Sequence, residues 1–461
     1  MADLRTSFAG IASPNPFWLA SAPPTNSGAQ IHRAFEAGWG GVVWKTIGAP
    51  VLNVSNRYGA WHYGGQKMLA INNVELISDR PIEVNLQEIA DVKRNWPDRA
   101  VIVSAMVESS PQAWSDIVHR IEDTGADGIE LNYGCPHGMS ERGMGSAVGQ
   151  VPEYCEKITR WVKEAAHLPI IVKLTPNITD IVQPARAAVR AGADAVSLIN
   201  TINSIMGVDL DTFEITPSIG GKGGHGGYAG PVVKPIALNM LSELGTDKVV
   251  AASGLPISGM GGISTWQDAA AFLLLGATSV QVCTAVMHYG FRIIEDLRDG
   301  LANWMDAKGF ASVVDLKGKS LDRISDFKDF DLAFRAVARI NVDKCIKCNL
   351  CYVACNDTAH QCIDLVSADG RIVEPLAYDV RSNGKGEAIG SRAQPRVREE
   401  DCVGCRLCHN VCPVLDCIDM VELPRCQPSV TWDELSKNQP EVTENWDAME
   451  RYREARGIHI H

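Results

Sequence analysis

The sequence predicts an α/β chain: a (β/α)8 TIM barrel followed by a small cysteine-rich domain. Three observations carry this expectation. Short β-branched runs alternate with longer amphipathic stretches through roughly the first 300 residues, the rhythm of repeated strand–helix units. Several amphipathic stretches stop at a glycine beside an alanine (Gly38, Gly125, Gly192, Gly276), the left-handed stop expected before a buried parallel strand. Of 14 cysteines, only Cys135, Cys155 and Cys283 precede residue 340, while eleven crowd between Cys345 and Cys426.

Taken in order, strands are expected over 16–22, 41–46, 100–107, 128–132, 169–175, 195–201, 255–259 and 279–285. Helices are expected over 29–37, 113–124, 153–166, 181–191, 233–244 and 265–275. Eight strands in about 300 residues favour a closed barrel over a doubly wound sheet. The barrel is expected to occupy 1–307, and 308–340, with a charged run at 322–331, to be a connecting arm. The cysteine-rich domain spans 341–426. Residues 427–461 read as a polar tail, with Trp432 and Trp446 either docking residues or packed on their own protein.

The composition narrows the class. With 461 residues, 46% apolar and 21% charged, the chain has ample material for a core. A net charge of −12 argues against a nucleic-acid binder, which needs a basic face. No apolar run approaches the ~18 residues of a membrane span, and no basic-then-apolar signal opens the chain, so the cytoplasm is the expected address. There, clustered cysteines read as metal ligands before they read as disulfides.

Cys345, Cys348, Cys351 and Cys355 are separated by two, two and three residues, and Cys402, Cys405, Cys408 and Cys412 repeat that spacing, with Pro413 next. This is the ligand run of two-cluster ferredoxins, in which three close thiolates wrap one cube and the fourth reaches across to the other. Cys345, Cys348, Cys351 and Cys412 are therefore expected to hold one [4Fe–4S] cluster. Cys402, Cys405, Cys408 and Cys355 are expected to hold the second, in a ferredoxin-like domain. A pair of four-cysteine zinc knuckles is the alternative. Between the motifs, Arg381, Lys385, Arg392, Arg396 and Arg398 mark a solvated insertion or, more sharply, a docking patch for a redox partner. Cys362, Cys417 and Cys426 fall outside the pattern and read as buried or incidental thiols.

In such barrels chemistry sits where the strands end. Lys45 and Thr46 close the second strand, Asn132 the fourth, Lys173 the fifth, and Asn200 and Thr201 the sixth. Two lysines and two asparagines at equivalent ends are not what a packed core requires. Gly259-Met260-Gly261-Gly262 after strand seven and Cys283-Thr284 after strand eight suggest a phosphate cradle for FMN or a sugar phosphate. The glycine-rich segment from Gly220 to Gly230 reads as a mobile or close-approach loop, or a plain connector. Cys135 lies in a polar, glycine-rich loop beside His137 and Arg142. With a reference pKa of about 8.5, a thiol there is protonated at neutral pH and suited to give up a proton as hydride arrives.

These residues resemble the pyrimidine-reducing half of the dihydropyrimidine dehydrogenase family. The resemblance runs through Leu19–Ala22, Arg33–Gly40, Val74–Ser78, the Cys135 loop to Gly145, Lys173–Asn177, Asn200–Thr201 and both cysteine motifs. It implies an FMN-bearing barrel fused to two [4Fe–4S] clusters, reducing the 5,6-double bond of uracil or thymine. Carried over by position, FMN contacts come from Ser21, Lys45, Thr46, Lys173, Gly230, Met260, Gly261, Gly262, Cys283 and Thr284. Pyrimidine contacts come from Asn73, Asn132, Tyr133, Gly134, Asn200 and Thr201, with Cys135 the general acid. Asparagine amides suit a neutral ring because each both donates and accepts. The sequence shows no strand–GxGxxG–helix fingerprint, so the resemblance implies the bacterial two-subunit arrangement. A separate FAD- and NAD(P)H-binding flavoprotein subunit then supplies electrons, within an oligomer. On this reading FMN N5 delivers hydride to C6 while Cys135 protonates C5. The alternatives are a dihydroorotate-dehydrogenase-like oxidoreductase on the same barrel and an electron-relay subunit without chemistry of its own.

Overall fold

The computed structural model describes residues 2–63, 66–135, 143–373, 393–425 and 427–455, and the chain divides into two compact units, 1–323 and 324–461. In the first, eight parallel strands close into a barrel. They are Phe17–Leu19, Gly41–Gly48, Ala100–Met106, Gly128–Asn132, Ile170–Lys173, Ala195–Leu198, Ile257–Met260 and Ser279–Val282. Each pairs with the next, and the last returns to the first through Val280 opposite Phe17. All eight expected strands are present: five are shorter than expected, Gly128–Asn132 coincides, Gly41–Gly48 runs two residues further, and Ile257–Met260 starts two residues later and ends one later. Gly128–Asn132 and Ala100–Met106 are buried along their whole length, which is why they lack the alternation of a half-exposed strand.

The helices begin and end by the expected chemistry. Ser27 accepts from the Gln30 N–H to cap Gly28–Ala37, and Gly38, at φ 113°, ends it. Gly125, Gly192 and Gly276 also take positive φ. Two long helices of the barrel fall outside the periodic reading, Ile82–Asn95 and Ile293–Lys308. The first starts without a side-chain cap and buries Asn85, whose Oδ1 accepts from Trp44 Nε1 at 3.0 Å. Its start therefore carries neither a capping signal nor an unbroken apolar face.

The two ends of the barrel differ. Where the strands begin, the hairpin Thr6–Phe8 and Ile11–Ser13 sets Phe8 and Ile11 against Trp18, Val43, Ile102 and Ile171 as an apolar plug. A second, antiparallel sheet contains Tyr58–Tyr63, Gln66–Asn73, Ile202–Ser204 and Gly226–Ala229, and its Ile71, Asn73 and Tyr228 line the same cavity as the barrel strand ends. The segment expected as a loop from Gly220 to Gly230 therefore ends in a strand. Its glycines permit close approach: a Cβ on Gly226 would collide with the Asn72 side chain, and one on Gly227 with Thr201 Oγ1. Gly227→Val is expected to push Thr201 aside and to destabilise the barrel by about 1–3 kcal/mol, measured as a lower Tm.

The domain boundary also moves. Residues 308–323 are not a connecting arm: Ser312 caps the short helix Val313–Leu316, whose Val313 and Leu316 are buried in the barrel core. In the second unit, Ala336–Ile340, expected to be part of that arm, pairs antiparallel with Ile418–Glu422, and Ile363–Val366 pairs with Gln394–Val397. Residues 427–455 are not a loose polar tail, because they form helices Trp432–Asn438, Pro440–Glu444 and Trp446–Ala455, burying Leu435 and Val442. Trp446 is exposed. Among the described residues no helix is long and apolar enough to cross a membrane.

Candidate active site

The barrel strand ends surround a cavity partly open to solvent. Ser21, Lys45, Thr46, Asn73, Asn132, Cys135, Lys173, Asn200, Thr201, Gly230, Met260, Gly261, Gly262, Cys283 and Thr284 all line it. They sit at the strand ends and in the turns that follow, with an irregularity in the second strand between Trp44 and Ile47, and a chain of hydrogen bonds fixes several of them. Thr46 Oγ1 lies 3.1 Å from Ser21 Oγ and 2.9 Å from Ser104 Oγ. Asn132 Nδ2 donates to Thr46 Oγ1 at 3.0 Å, and Asn200 Nδ2 donates to Asn132 Oδ1 at 3.0 Å. Asn73 Nδ2 donates to Gly227 O at 3.1 Å, a bond within the second sheet.

Two expected substrate contacts lie elsewhere. Tyr133 is buried in the packing behind the strand, its hydroxyl 3.2 Å from Thr159 Oγ1. Burial raises its phenol well above the ordinary value. Gly134 does not line the cavity either; a Cβ there would meet the Asn200 side chain. Alternation places consecutive side chains on opposite faces, so Asn132 faces the cavity and Tyr133 faces away.

Several residues of the site were not foreseen. Glu75 lines the cavity and pairs with Lys45, Oε1 to Nζ 2.8 Å. Its other oxygen accepts from the Tyr58 hydroxyl at 2.7 Å. Burial, then the Glu75 hydrogen bond, raise the Tyr58 phenol above its usual range. Lys173 faces a second carboxylate: its Nζ lies 3.5 Å from Glu130 Oε1. Glu130 is fully buried inside the barrel and accepts from Ser197 Oγ at 2.8 Å and Gln281 Nε2 at 3.3 Å. Both lysines of the cavity are thus matched by a carboxylate, a pattern set by residues far apart in sequence.

Cys135 forms part of the wall, 9% exposed, in a small apolar cluster with Ile77, Met106 and Met144. The polar loop expected around it is only partly in view, since His137 and Arg142 lie outside the described residues. Cys283 also faces the cavity, and burial pushes its thiol up to about 11, so it remains protonated at neutral pH.

The cavity suits a flavin nucleotide. Gly261 and Gly262 follow their strand with φ of 126° and 77°. A Cβ on Gly262 would stand 2.8 Å from Lys234 Cβ and 3.0 Å from Gly230 O. Only glycine fits this turn, whose bare backbone is open to an anion. Gln281 also lines the cavity, and its buried Oε1 has no hydrogen bond from any described residue.

The second unit gathers its thiols around two voids. Cys345, Cys348, Cys351 and Cys412 ring one, with Cys417. Cys355, Cys402, Cys405 and Cys408 ring the other, with Cys362. Among the described residues no three Cys, His, Asp or Glu side chains converge as a single ion requires. Thiols spread round a void fit a cube rather than a zinc knuckle. Cys362 and Cys417 are buried as expected, with Cys362 Sγ 3.4 Å from Cys355 Sγ. Arg396 and Arg398 are engaged within the domain by Asp364 and Asp401. Arg381, Lys385, Arg392 and Cys426 lie outside the described residues.

A barrel with such a cavity, carried on one chain with a thiol-ringed second domain, defines an iron–sulfur oxidoreductase of the flavin-barrel type. Residues 3–305 match the family described as dihydroorotate dehydrogenase, and 382–420 match a 4Fe-4S dicluster domain. The chain is 41% identical over 363 residues to the NAD-dependent dihydropyrimidine dehydrogenase subunit PreA of Escherichia coli K12, covering 78% of this chain and 87% of that protein. It is 38% identical to the chloroplastic dihydropyrimidine dehydrogenase (NADP(+)) of Arabidopsis thaliana, over 71% of this chain and 79% of that one. It is 35% identical to the catalytic subunit of dihydroorotate dehydrogenase B (NAD(+)) of Pyrococcus abyssi, over 69% and 99%. The chain belongs to the dihydroorotate dehydrogenase family and, within it, to the dihydropyrimidine dehydrogenases. The family implies a flavin, and the dicluster domain implies iron–sulfur clusters.

Proposed function

We propose that this chain reduces the 5,6-double bond of uracil or thymine, reversibly, as the catalytic subunit of a two-subunit cytoplasmic oligomer. When bound, FMN supplies hydride to C6, and two [4Fe–4S] clusters supply its electrons singly from an FAD- and NAD(P)H-binding flavoprotein subunit. Ser21, Lys45, Thr46, Lys173, Gly230 and the Met260–Gly262 and Cys283–Thr284 turns would hold the FMN. Asn73, Asn132, Asn200 and Thr201 would hold the ring, their amides matching its C=O and N–H groups. Cys135 would give the proton to C5. The two cysteine sets would hold the clusters as the two voids group them.

The observation that carries this reading is that Cys135 and three asparagine side chains line one cavity whose two lysines each face a carboxylate. That lining suits an uncharged polar ring. Dihydroorotate oxidation is the second reading, favoured by the family matched over 3–305. The test is anaerobic stopped-flow of the reduced, reconstituted protein against uracil, thymine and orotate, following the flavin band. Rapid reoxidation by uracil or thymine alone is expected. Reoxidation by orotate alone would favour the second reading, and no reoxidation by any of them would favour an electron relay.

A further inference from the structure

Resting on that reading, we propose that Glu75 restricts the site to uncharged pyrimidines by excluding rings that bear a carboxylate. The names of the relatives differ chemically by one such group: dihydroorotate is a dihydropyrimidine carrying a carboxylate. A barrel that admits that anion needs a cation with charge to spare. Among the described residues this cavity has two lining cations, Lys45 and Lys173. Lys45 is neutralised by Glu75 at 2.8 Å, and Lys173 faces the fully buried Glu130 at 3.5 Å. Arg57 reaches the same Glu75 oxygen at 3.5 Å but is about a third exposed and is not part of the cavity lining.

The Glu75 side chain is only 10% exposed, so its charge is poorly screened. The Tyr58 hydroxyl holds its second oxygen at 2.7 Å, which keeps the carboxylate in place rather than leaving it to swing out of the site. An anionic ring entering here loses its water and, among the described residues, finds no lining cation that is not already matched by a carboxylate. A neutral ring needs no counter-charge. Glu75 then acts by rejecting the wrong substrate, separately from the amides that recognise the right one.

The test titrates FMN-loaded full-length protein with uracil, orotate and the neutral isostere orotamide, following perturbation of the flavin spectrum. Orotate and orotamide share size and shape, so their ratio isolates charge from fit. In the wild type, orotamide is expected to bind at least about tenfold more tightly than orotate. Glu75→Gln keeps an acceptor for Tyr58, removes the negative charge and leaves Lys45 unpaired, so the ratio should fall to about threefold or less. A wild-type ratio near one, or a ratio unchanged by E75Q, overturns the assignment. Should E75Q fail to retain flavin, the wild-type ratio decides alone. If the wild type binds none of the three, the pyrimidine reading itself fails, and with it the role of Glu75.

Discussion

Replacing Cys135 by alanine is expected to slow uracil reduction by roughly 10²–10⁴-fold, the usual worth of a positioned general acid, while flavin and iron contents stay at wild-type levels. The separation follows from where the thiol sits. It borders the cavity and packs in the small cluster of Ile77, Met106 and Met144, so truncation costs about 1 kcal/mol of packing, too little to unfold the barrel. Uracil affinity should change little, because the ring is expected to rest on the amides of Asn73, Asn132 and Asn200. The loss should therefore fall on kcat. Cys135→Ser should be intermediate, since a hydroxyl is a far weaker acid than a thiol. Steady-state kinetics beside an iron and flavin assay check this, and unchanged turnover in the alanine variant would remove the acid role.

The second large effect concerns the thiols. Cys351→Ala and Cys408→Ala, each buried against a different void, are each expected to lose roughly half of the iron, about four of eight atoms per chain. The grouping around the voids makes a sharper forecast at the fourth cysteines. Cys355 lies with Cys402, Cys405 and Cys408, and Cys412 with Cys345, Cys348 and Cys351. The EPR signal lost in Cys355→Ala should thus match that lost in Cys408→Ala, and the signal lost in Cys412→Ala should match Cys351→Ala. Turnover with the electron-supplying partner should fall to background in all four, while uracil still perturbs the flavin spectrum. Loss paired by motif rather than by void would overturn the grouping.

Most of the barrel was legible because its strands are buried on both faces and its helices carry local stop signals, of which Gly38 and Gly276 are examples. The second sheet was not. Its pairings join Asn73 to Gly227 across more than 150 residues, and strands rich in glycine and asparagine carry no apolar period. Lys45, Asn132, Lys173 and Asn200 could be read because each falls at or near the end of a barrel strand, whereas Asn73 came only with the family resemblance. Glu75 could not, since its meaning comes from Lys45 and Tyr58, which only the folded chain brings to it. Tyr133 was within reach of the sequence: strand alternation one residue past Asn132 turns it away from the cavity. The boundary between the units was obscured because Ala336–Ile340 finds its partner only at Ile418–Glu422, so the strand reads locally as part of a linker.

The central claim is that the Cys135 sulfur stands over one face of a flat, uncharged ring held by the cavity's amides. A crystal structure of the FMN-loaded protein with uracil tests it most directly. The expected result places Sγ within about 3.5 Å of C5, with the flavin N5 across the ring from it. A ring seated away from Asn132 and Asn200, or a sulfur turned from the ring with Met144 in its place, would contradict it.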